Sequence, residues 1–372
     1  MVYITVLKDK VEKNLKKDNI DIEKELLLIN TYRGSGIGDF GLALKSKILD
    51  RESISLEYLE TKPSWTSFVR IWSKIRLSNS PILFNLGFTS YGKSSVRNFF
   101  NFLMIGGISL LWDKNVKVIL HDSPEIFENN FTGYKLLRIK KMGGKIATRV
   151  LKNTKITVLS VELYRILKNK YRFNNVSLYP FPCIQNSNTR PNAEGIPLVI
   201  SVGYIAPYKR LEILPEIKIL MPGVKFMVVG KFHSVLGKTT GGREYKQQLE
   251  SLFDDAGIER PGYVPLDELE KIISNYKCVG ILPYSSTSGS SYAAAFFIER
   301  GVPLVASNLA EFQNFRDNGC GISITEGTVS DISKNLLQLI NNRGKYVAYS
   351  KMNIAYSEKN SIDNMINSIL KN

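Results

Sequence analysis

The sequence has few residues of the kinds that bind metals or form disulfides. It contains two histidines and three cysteines, Cys183, Cys278 and Cys320. The cysteines are odd in number and far apart, so they define neither a disulfide framework nor a pair with metal-ligand spacing. We therefore expect no metal and no cofactor beyond the substrates.

Long hydrophobic runs are also absent. The most apolar stretch, residues 99–112, is about fourteen residues long, whereas a membrane-spanning helix needs roughly twenty. The first residues lack the apolar core of a signal peptide. These absences predict a cytoplasmic protein, and attachment to the face of a membrane stays open.

Acidic residues are scarce in the N-terminal half. Residues 1–188 hold 30 Lys and Arg against 16 Asp and Glu, a net charge of +14, while residues 189–372 hold 20 against 18, a net charge of +2. Either an anionic partner faces the first half or the charge serves only solubility.

Short apolar runs are plentiful, and longer segments separate them. Eleven runs have the continuous apolar character of strands in a parallel sheet covered on both faces: 25–30, 53–59, 81–87, 116–122, 156–160, 176–181, 197–203, 224–230, 278–284, 303–307 and 321–325. A linker rich in proline and asparagine, residues 179–195, separates two sets. We predict an α/β chain of two tandem Rossmann-like, doubly wound parallel-sheet domains, with the interdomain cleft as the default ligand site.

Three glycines follow the first predicted strand. Gly36, Gly38 and Gly41 fit the pattern G-x-G-x-x-G, and Glu57 lies about twenty residues further on. Such glycines let backbone N–H groups approach a phosphate, and the acid can bind a ribose. Three interpretations stay open: a ligand-facing loop, a plain strand-to-helix turn with positive φ, and NAD binding.

The C-terminal half contains a sharper pattern. A predicted strand ends at Gly203, and Lys209 and Arg210 follow a short loop and are predicted to open the next helix. Two cations at a helix N-terminus are unfavourable unless an anion lies between them, and a diphosphate fits that need. A solvated pair is the alternative, above all for Arg210.

A second pattern follows the strand at 278–284. The loop after it is made of small hydroxyl residues and one glycine, and it includes Ser288, Gly289, Ser290 and Ser291. Small residues at a helix start expose N–H groups and leave room for a phosphate. Helix capping alone would need a single serine.

The order of these pieces resembles the group 1 (family four) glycosyltransferases of the GT-B fold. The glycine loop, the strand ending at His121, the strand-Gly-loop-Lys segment at Gly203, the turn at Gly262 and the G-x-P turn at Gly301 occur in the family's order. The resemblance covers most of residues 25–340 and implies a retaining, metal-independent transfer from a nucleotide sugar.

The resemblance also implies roles for single residues. Lys209 would bind the donor diphosphate, with Gly203 and Arg210 beside it, and Gly36 and Gly38 would lie against the donor phosphate or sugar. His121 would contact the transferring sugar, so His121 and Lys209 are the candidate catalytic residues. A strand-end histidine with only local hydrogen bonds is the alternative for His121.

The chain departs from the family in two places. The family's paired glutamates fall on Ser288 and Phe296, and Tyr204 stands where the family often has arginine. Glu299 lies about one helical turn beyond Phe296 and could reach the ribose. The departures leave the donor and the activity open.

A basic stripe lies in the segment 134–153, which contains no acidic residue. Five cations recur there every three or four residues and would share one helix face: Arg138, Lys141, Lys145, Arg149 and Lys152. An anionic membrane or acceptor would attract such a face. No recognition motif points to nucleic acid.

Together these patterns predict a glycosyltransferase that transfers sugar from a nucleotide sugar to a glycan or lipid-linked acceptor. We expect an acceptor-side domain at 1–188, a donor-binding domain at 189–345, and C-terminal helices at 346–372 packing back on the first domain. A non-catalytic GT-B subunit that binds a glycan or a partner, and an NAD(P)-dependent enzyme, are the alternatives.

Overall fold

The fold consists of two parallel sheets with helices, seen in a computed structural model that describes residues 24–31, 36–51, 53–61, 65–87, 115–121, 151–152, 154–184, 187–233, 236–286 and 291–371. The described residues divide into two compact units. The first unit contains the described residues of Met1–Val158, Arg165–Ser177 and Ile366–Asn372. The second unit contains those of Leu159–Tyr164 and Leu178–Met365. The long part of the second unit begins at Leu178.

The first sheet has six strands in the order β2-β1-β3-β4-β5-β6. They are β1 (Lys24–Thr31), β2 (Ile54–Thr61), β3 (Ile82–Leu86), β4 (Val116–Leu120), β5 (Lys155–Val158) and β6 (Val176–Leu178). Neighbours from β2 to β5 pair in parallel. The order reverses between β1 and β3, and ligands of such sheets bind at the carboxyl ends of the strands beside this switch point.

The described part of the first unit contains the helices α1 (Gly36–Leu49) and α2 (Trp65–Leu77). Helix α3 (Val161–Arg165) belongs to the second unit up to Tyr164, and the last helix, α11 (Ile362–Lys371), belongs to the first unit from Ile366 onward. Helix α1 buries Phe40, Leu44 and Ile48, which recur every four residues and so share one face. Within the first unit, Lys117 Nζ donates to the carbonyl of Ile369 at 2.6 Å, which ties the end of α11 to β4.

The second sheet has the order β12-β11-β10-β7-β8-β9. Its strands are β7 (Pro197–Val202), β8 (Lys225–Val229), β9 (Glu259–Gly262), β10 (Lys277–Leu282), β11 (Leu304–Ser307) and β12 (Ile322–Thr325). All pair in parallel. This is the strand order 3-2-1-4-5-6 of dinucleotide-binding domains, and its switch point lies between β7 and β10.

Seven α-helices surround the second sheet among the residues described there: α4 (Leu214–Ile219), α5 (Thr240–Asp255), α6 (Leu266–Asn275), α7 (Tyr292–Glu299), α8 (Ala310–Asp317), α9 (Val329–Asn341) and α10 (Arg343–Lys359). Helix α9 places Ile332, Leu336 and Leu339 in the core together with Val199, Val279 and other strand residues. Its start is capped by the Thr328 hydroxyl, which accepts from the backbone N–H of Asp331 at 3.2 Å.

The structure confirms the predicted α/β class and all eleven predicted strands. It adds β9, whose sequence Glu-Arg-Pro-Gly is too short and too polar to be recognised as a strand. Of the helices described, none is long and apolar enough to cross a membrane. Residues 99–112 and the stripe residues 138–149 lie outside the described part of the chain.

Candidate functional site

Two glycines bring the carboxyl ends of β7 and β8 close together. Gly203 and Gly230 have φ values of 101° and 143°, which L side chains rarely adopt. A Cβ atom on Gly230 would overlap the Gly203 carbonyl oxygen, and one on Gly203 would lie 3.0 Å from Lys209 Nζ. Glycine at 203 therefore leaves room for the Lys209 ammonium beside the strand end.

Lys209 is a buried cation with neutral partners. It ends a short 3-10 turn, Pro207–Lys209, and only 5% of it is exposed. Its Nζ donates to the Val202 carbonyl at 3.2 Å and lies 5.3 Å from the centroid of the Tyr284 ring. Among the described residues no carboxylate pairs with it, and burial lowers the pKa of Lys209 from 10.5 to about 8.

The neighbouring Arg210 does not share this position. Sequence reasoning expected both cations to open the next helix, but α4 begins at Leu214. Arg210 has a left-handed backbone, with φ of 52°, and its Nη2 donates to the Gly327 carbonyl at 3.3 Å. The left-handed residue turns the chain between the two side chains, so Lys209 and Arg210 have separate partners.

Tyr284 is a site residue that no pattern in the sequence singled out. It follows β10 across the switch point from β7, and its ring makes edge contacts with Tyr208 and Phe312 at centroid distances of 5.7 and 5.6 Å. Its buried hydroxyl has no hydrogen-bond partner in the described part of the chain. Ser285 donates its backbone N–H to the Tyr208 carbonyl at 2.8 Å, which joins the loops after β7 and β10.

The serine loop is described only at its end. Ser291 caps α7, and its hydroxyl accepts from the backbone N–H of Ala294 at 3.2 Å. Ser291 is therefore the single serine that helix capping requires. Ser288, Gly289 and Ser290 lie outside the described residues, so their expected contact with the donor phosphates stays a prediction.

Glu299 and Phe296 belong to a buried ionic cluster within the second unit. Glu299 is 5% exposed, accepts from the backbone N–H of Ile184, and pairs with Arg300 at 3.2 Å. Fully buried Arg300 also pairs with Glu270 at 2.9 Å, and the Phe296 ring lies 4.0 Å from its guanidinium carbon. The Glu299 carboxylate thus holds the start of the linker, and its expected ribose contact stays a prediction.

In the first unit a polar cluster lies at the carboxyl ends of β1, β3 and β4. Asn85 Nδ2 donates to Asn30 Oδ1 at 2.7 Å and to the Ile37 carbonyl at 2.6 Å. His121 Nε2 lies 2.6 Å from Asn85 Oδ1. The cluster occupies the switch point of the first sheet, where a ligand is expected.

The glycine loop meets this cluster. Gly36 begins α1, and the carbonyl of buried Gly38 accepts from Asn30 Nδ2 at 3.0 Å. A Cβ atom on Gly41 would overlap the Asn30 amide, so this glycine makes room for a side chain of β1. Glu57 of β2, the acid of the NAD-binding alternative, forms a salt bridge with Lys74 of α2.

Two further expectations concern metals and the basic stripe. The described residues contain no group of three or more His, Cys, Asp or Glu side chains placed to hold a metal ion. Of the stripe, only Lys152 is described. Its Nζ lies 6.0 Å from the centroid of the buried Phe173 ring.

The chain is similar to known proteins in structure but not in sequence. No family model matches the sequence, and no curated protein matches it. Anabaena HepE in complex with UDP superposes with a TM-score of 0.68 at 13% identity, covering 94% of this chain and 99% of HepE. Sucrose-phosphate synthase from Thermosynechococcus elongatus gives 0.66 at 12% identity, with 94% and 98% covered.

WaaG, described as a glycosyltransferase involved in lipopolysaccharide biosynthesis, gives a TM-score of 0.60 at 13% identity, with 93% of this chain and 98% of WaaG covered. At these identities the likeness concerns the fold. The two six-stranded parallel sheets and the near-complete coverage agree with it. The chain therefore has the GT-B fold, which it shares with these proteins.

Proposed function

We propose that this protein is a glycosyltransferase that transfers a sugar from a nucleotide-sugar donor to an acceptor. The observation that carries the proposal is Lys209, a buried ammonium at the carboxyl end of β7 whose described partners are neutral. Taking a cation out of water is unfavourable unless a negative charge compensates it. The diphosphate of a nucleotide sugar supplies that charge.

The comparisons support this choice of ligand. HepE has been crystallised with UDP and with UDP-glucose, and the fold of this chain matches it over most of both chains. The switch point between β7 and β10, where Lys209 and Tyr284 lie, is where doubly wound sheets bind nucleotides. We assign the donor diphosphate to this position.

The chemistry that follows is electrostatic. When the bond between sugar and diphosphate breaks, negative charge grows on the leaving nucleoside diphosphate, and a fixed cation that meets this charge lowers the barrier. Lys209 would have this role, aided by backbone N–H groups at the start of α7. His121 would contact the transferring sugar, and we propose retention of configuration without a metal ion.

The acceptor is proposed to be a glycan or a lipid-linked sugar near a membrane. The net charge of +14 in residues 1–188 exceeds what the donor in the other half could require. The basic stripe would attract anionic headgroups by about 1 kcal/mol per cation. The part that WaaG plays in lipopolysaccharide biosynthesis favours an acceptor of this class.

Calorimetric titration with UDP, GDP, UDP-glucose and NAD tests the proposal. We expect one nucleoside diphosphate to bind and Lys209→Ala to weaken it by roughly 1.5–3 kcal/mol, the range for a charge-assisted hydrogen bond. Lys225→Ala is the matched control, because Lys225 Nζ also lies over a tyrosine, 5.1 Å from the Tyr276 ring centroid, but at the opposite end of β8. Equal affinity in wild type and Lys209→Ala would remove Lys209 from the site.

A second candidate function is a non-catalytic GT-B subunit that binds a glycan or a partner. Phe296, which stands where the family has a glutamate, packs on Arg300 and offers no carboxylate to the donor. Incubation of the protein with a bound donor separates the two functions. Release or transfer of the sugar supports the enzyme, and binding without release over many hours supports the subunit.

A further inference from the structure

Two fully buried asparagines connect β1 and β3 to His121. Asn30 and Asn85 are both 0% exposed, and their amides bond to each other and to backbone carbonyls. Burying an amide costs free energy unless its groups are hydrogen-bonded. Apolar residues would fill these strand positions without that requirement, so the amides point to a task beyond packing.

The bonding pattern fixes which way each amide faces. A backbone carbonyl can only accept, so the Asn85 atom 2.6 Å from the Ile37 carbonyl is its nitrogen. The Asn30 atom that lies 3.0 Å from the Gly38 carbonyl is likewise its nitrogen. Asn85 then donates its two N–H groups to the Ile37 carbonyl and to Asn30 Oδ1.

The oxygen of Asn85 consequently faces His121 as an acceptor. Asn85 Oδ1 lies 2.6 Å from His121 Nε2, so Nε2 must carry a hydrogen to form this bond. In a neutral imidazole the other nitrogen, Nδ1, is then a bare acceptor. The orientation of two asparagines thereby decides the tautomer of one histidine.

We infer that Asn30 and Asn85 are positioning residues that hold His121 as the neutral Nε2–H tautomer, so that Nδ1 accepts a hydrogen bond from a ligand hydroxyl. That the hydroxyl belongs to the transferring sugar rests on the proposed function. Phe40 of α1 lies edge-on to the imidazole at a centroid distance of 5.0 Å, and neither it nor Asn85 carries a charge. Burial lowers the pKa of His121 to about 4, which keeps the ring neutral near pH 7.

Nitrogen-15 NMR of the imidazole rings tests the tautomer directly, because the chain has only two histidines. A His233→Gln variant identifies the His121 signals. We expect a protonated Nε2, a bare Nδ1 and no titration between pH 8 and 5. A wild-type ring protonated at Nδ1, or one that titrates near pH 6.5, would overturn the inference.

Two variants at one position separate positioning from packing. Asn85→Ala removes the acceptor, and both tautomers should then appear. Asn85→Asp keeps an acceptor oxygen and adds a charge, so Nε2 should stay protonated while the pKa of His121 rises. Asn353→Ala is the control, because Asn353 is an equally buried asparagine bonded to Gly321 and Val302 in the other unit. Wild-type His121 signals in both Asn85 variants would contradict the inference that Asn85 holds the His121 tautomer.

Activity gives a further readout that depends on the proposed function. With UDP-glucose as probe, Asn85→Ala should lower kcat by roughly 10–100-fold, as loss of a histidine's supporting partner does in metal sites. Asn353→Ala should leave kcat unchanged. If none of UDP, GDP and UDP-glucose binds in calorimetry while the Nε2–H tautomer is observed, the proposed function fails and the tautomer assignment stands.

Discussion

We expect the buried ammonium of Lys209 to destabilise the unliganded protein, and a bound diphosphate to offset this destabilisation. Its pKa falls from 10.5 to about 8 on burial, which corresponds to about 3 kcal/mol at 1.36 kcal/mol per pKa unit. The folded pKa lies below the unfolded one, so the unfolded chain binds more protons between pH 10.5 and 8. Stability is therefore lost as pH falls through this window, and the full loss is present below pH 8.

Replacing Lys209 with methionine removes this cost while keeping the shape of the side chain. The lost bond to the Val202 carbonyl and the lost contact with the Tyr284 ring offset about 1–2 kcal/mol of the gain. We expect Lys209→Met to be more stable than wild type by about 1–2 kcal/mol at pH 7. The difference should be about 2 kcal/mol smaller at pH 9.5, where folded wild type holds a neutral Lys209.

Urea denaturation of both proteins at pH 7 and 9.5 measures this change, and Lys225→Met serves as the control. Lys225 is exposed, so its replacement removes a lysine charge without removing a buried one. A stability difference for Lys209→Met that does not depend on pH would refute the assignment of a depressed pKa to this residue.

The same residue predicts that nucleotide binding takes up a proton. With a pKa of about 8, Lys209 is neutral in more of the free protein at pH 8.5 than at pH 7, and a bound diphosphate should restore its charge. Calorimetry in two buffers of different ionisation enthalpy should therefore show proton uptake at pH 8.5 and much less at pH 7. Lys209→Arg should take up none, because arginine is always charged. Uptake that is equal at both pH values, or that persists in Lys209→Arg, would assign the proton to another group.

Three further predictions concern the first unit, the membrane and metals. Gly41→Ala should destabilise the protein by about 1–3 kcal/mol in urea denaturation, because its Cβ would overlap Asn30, whereas Gly237→Ala, with open space around it, should cost less. The protein should sediment with anionic but not with neutral vesicles, and less so at high salt. Glutamine at four positions of the basic stripe should remove roughly 4 kcal/mol of this binding; these positions are Arg138, Lys141, Lys145 and Arg149. Equal sedimentation of wild type and this variant would mean that the stripe is only a solvated face. Sugar transfer should survive EDTA, and activity that requires an added divalent ion would contradict a metal-independent mechanism.

The sequence by itself determined the class of fold and the position of most strands. Runs such as Ile82–Leu86, which is buried throughout, are apolar because parallel strands are covered on both faces, and that property is visible locally. The exception is Glu259–Gly262, which lies at the edge of the second sheet. An edge strand has a neighbour on one side only, so it needs less of the apolar composition that reveals a strand.

Local spacing also singled out Gly203 and Lys209, since strand ends and glycines can be read along the chain, and the resemblance to a family singled out His121. The sequence favoured Lys209 over Arg210 as the functional cation, but it predicted that both would open the same helix, because both follow the same loop. A left-handed backbone at Arg210 separates them, and that conformation follows from packing rather than from residue type.

Only the tertiary structure decided which residues meet. Asn30 and Asn85 are 55 positions apart, and Asn85 and His121 are 36 apart, yet parallel pairing of β1, β3 and β4 places all three at one edge of the sheet. Lys209 likewise meets Tyr284 because β7 pairs with β10. Strand order depends on long-range packing, which residue spacing along the chain does not contain. The sequence therefore determined which residues could act, and the order of the strands decided which of them act together.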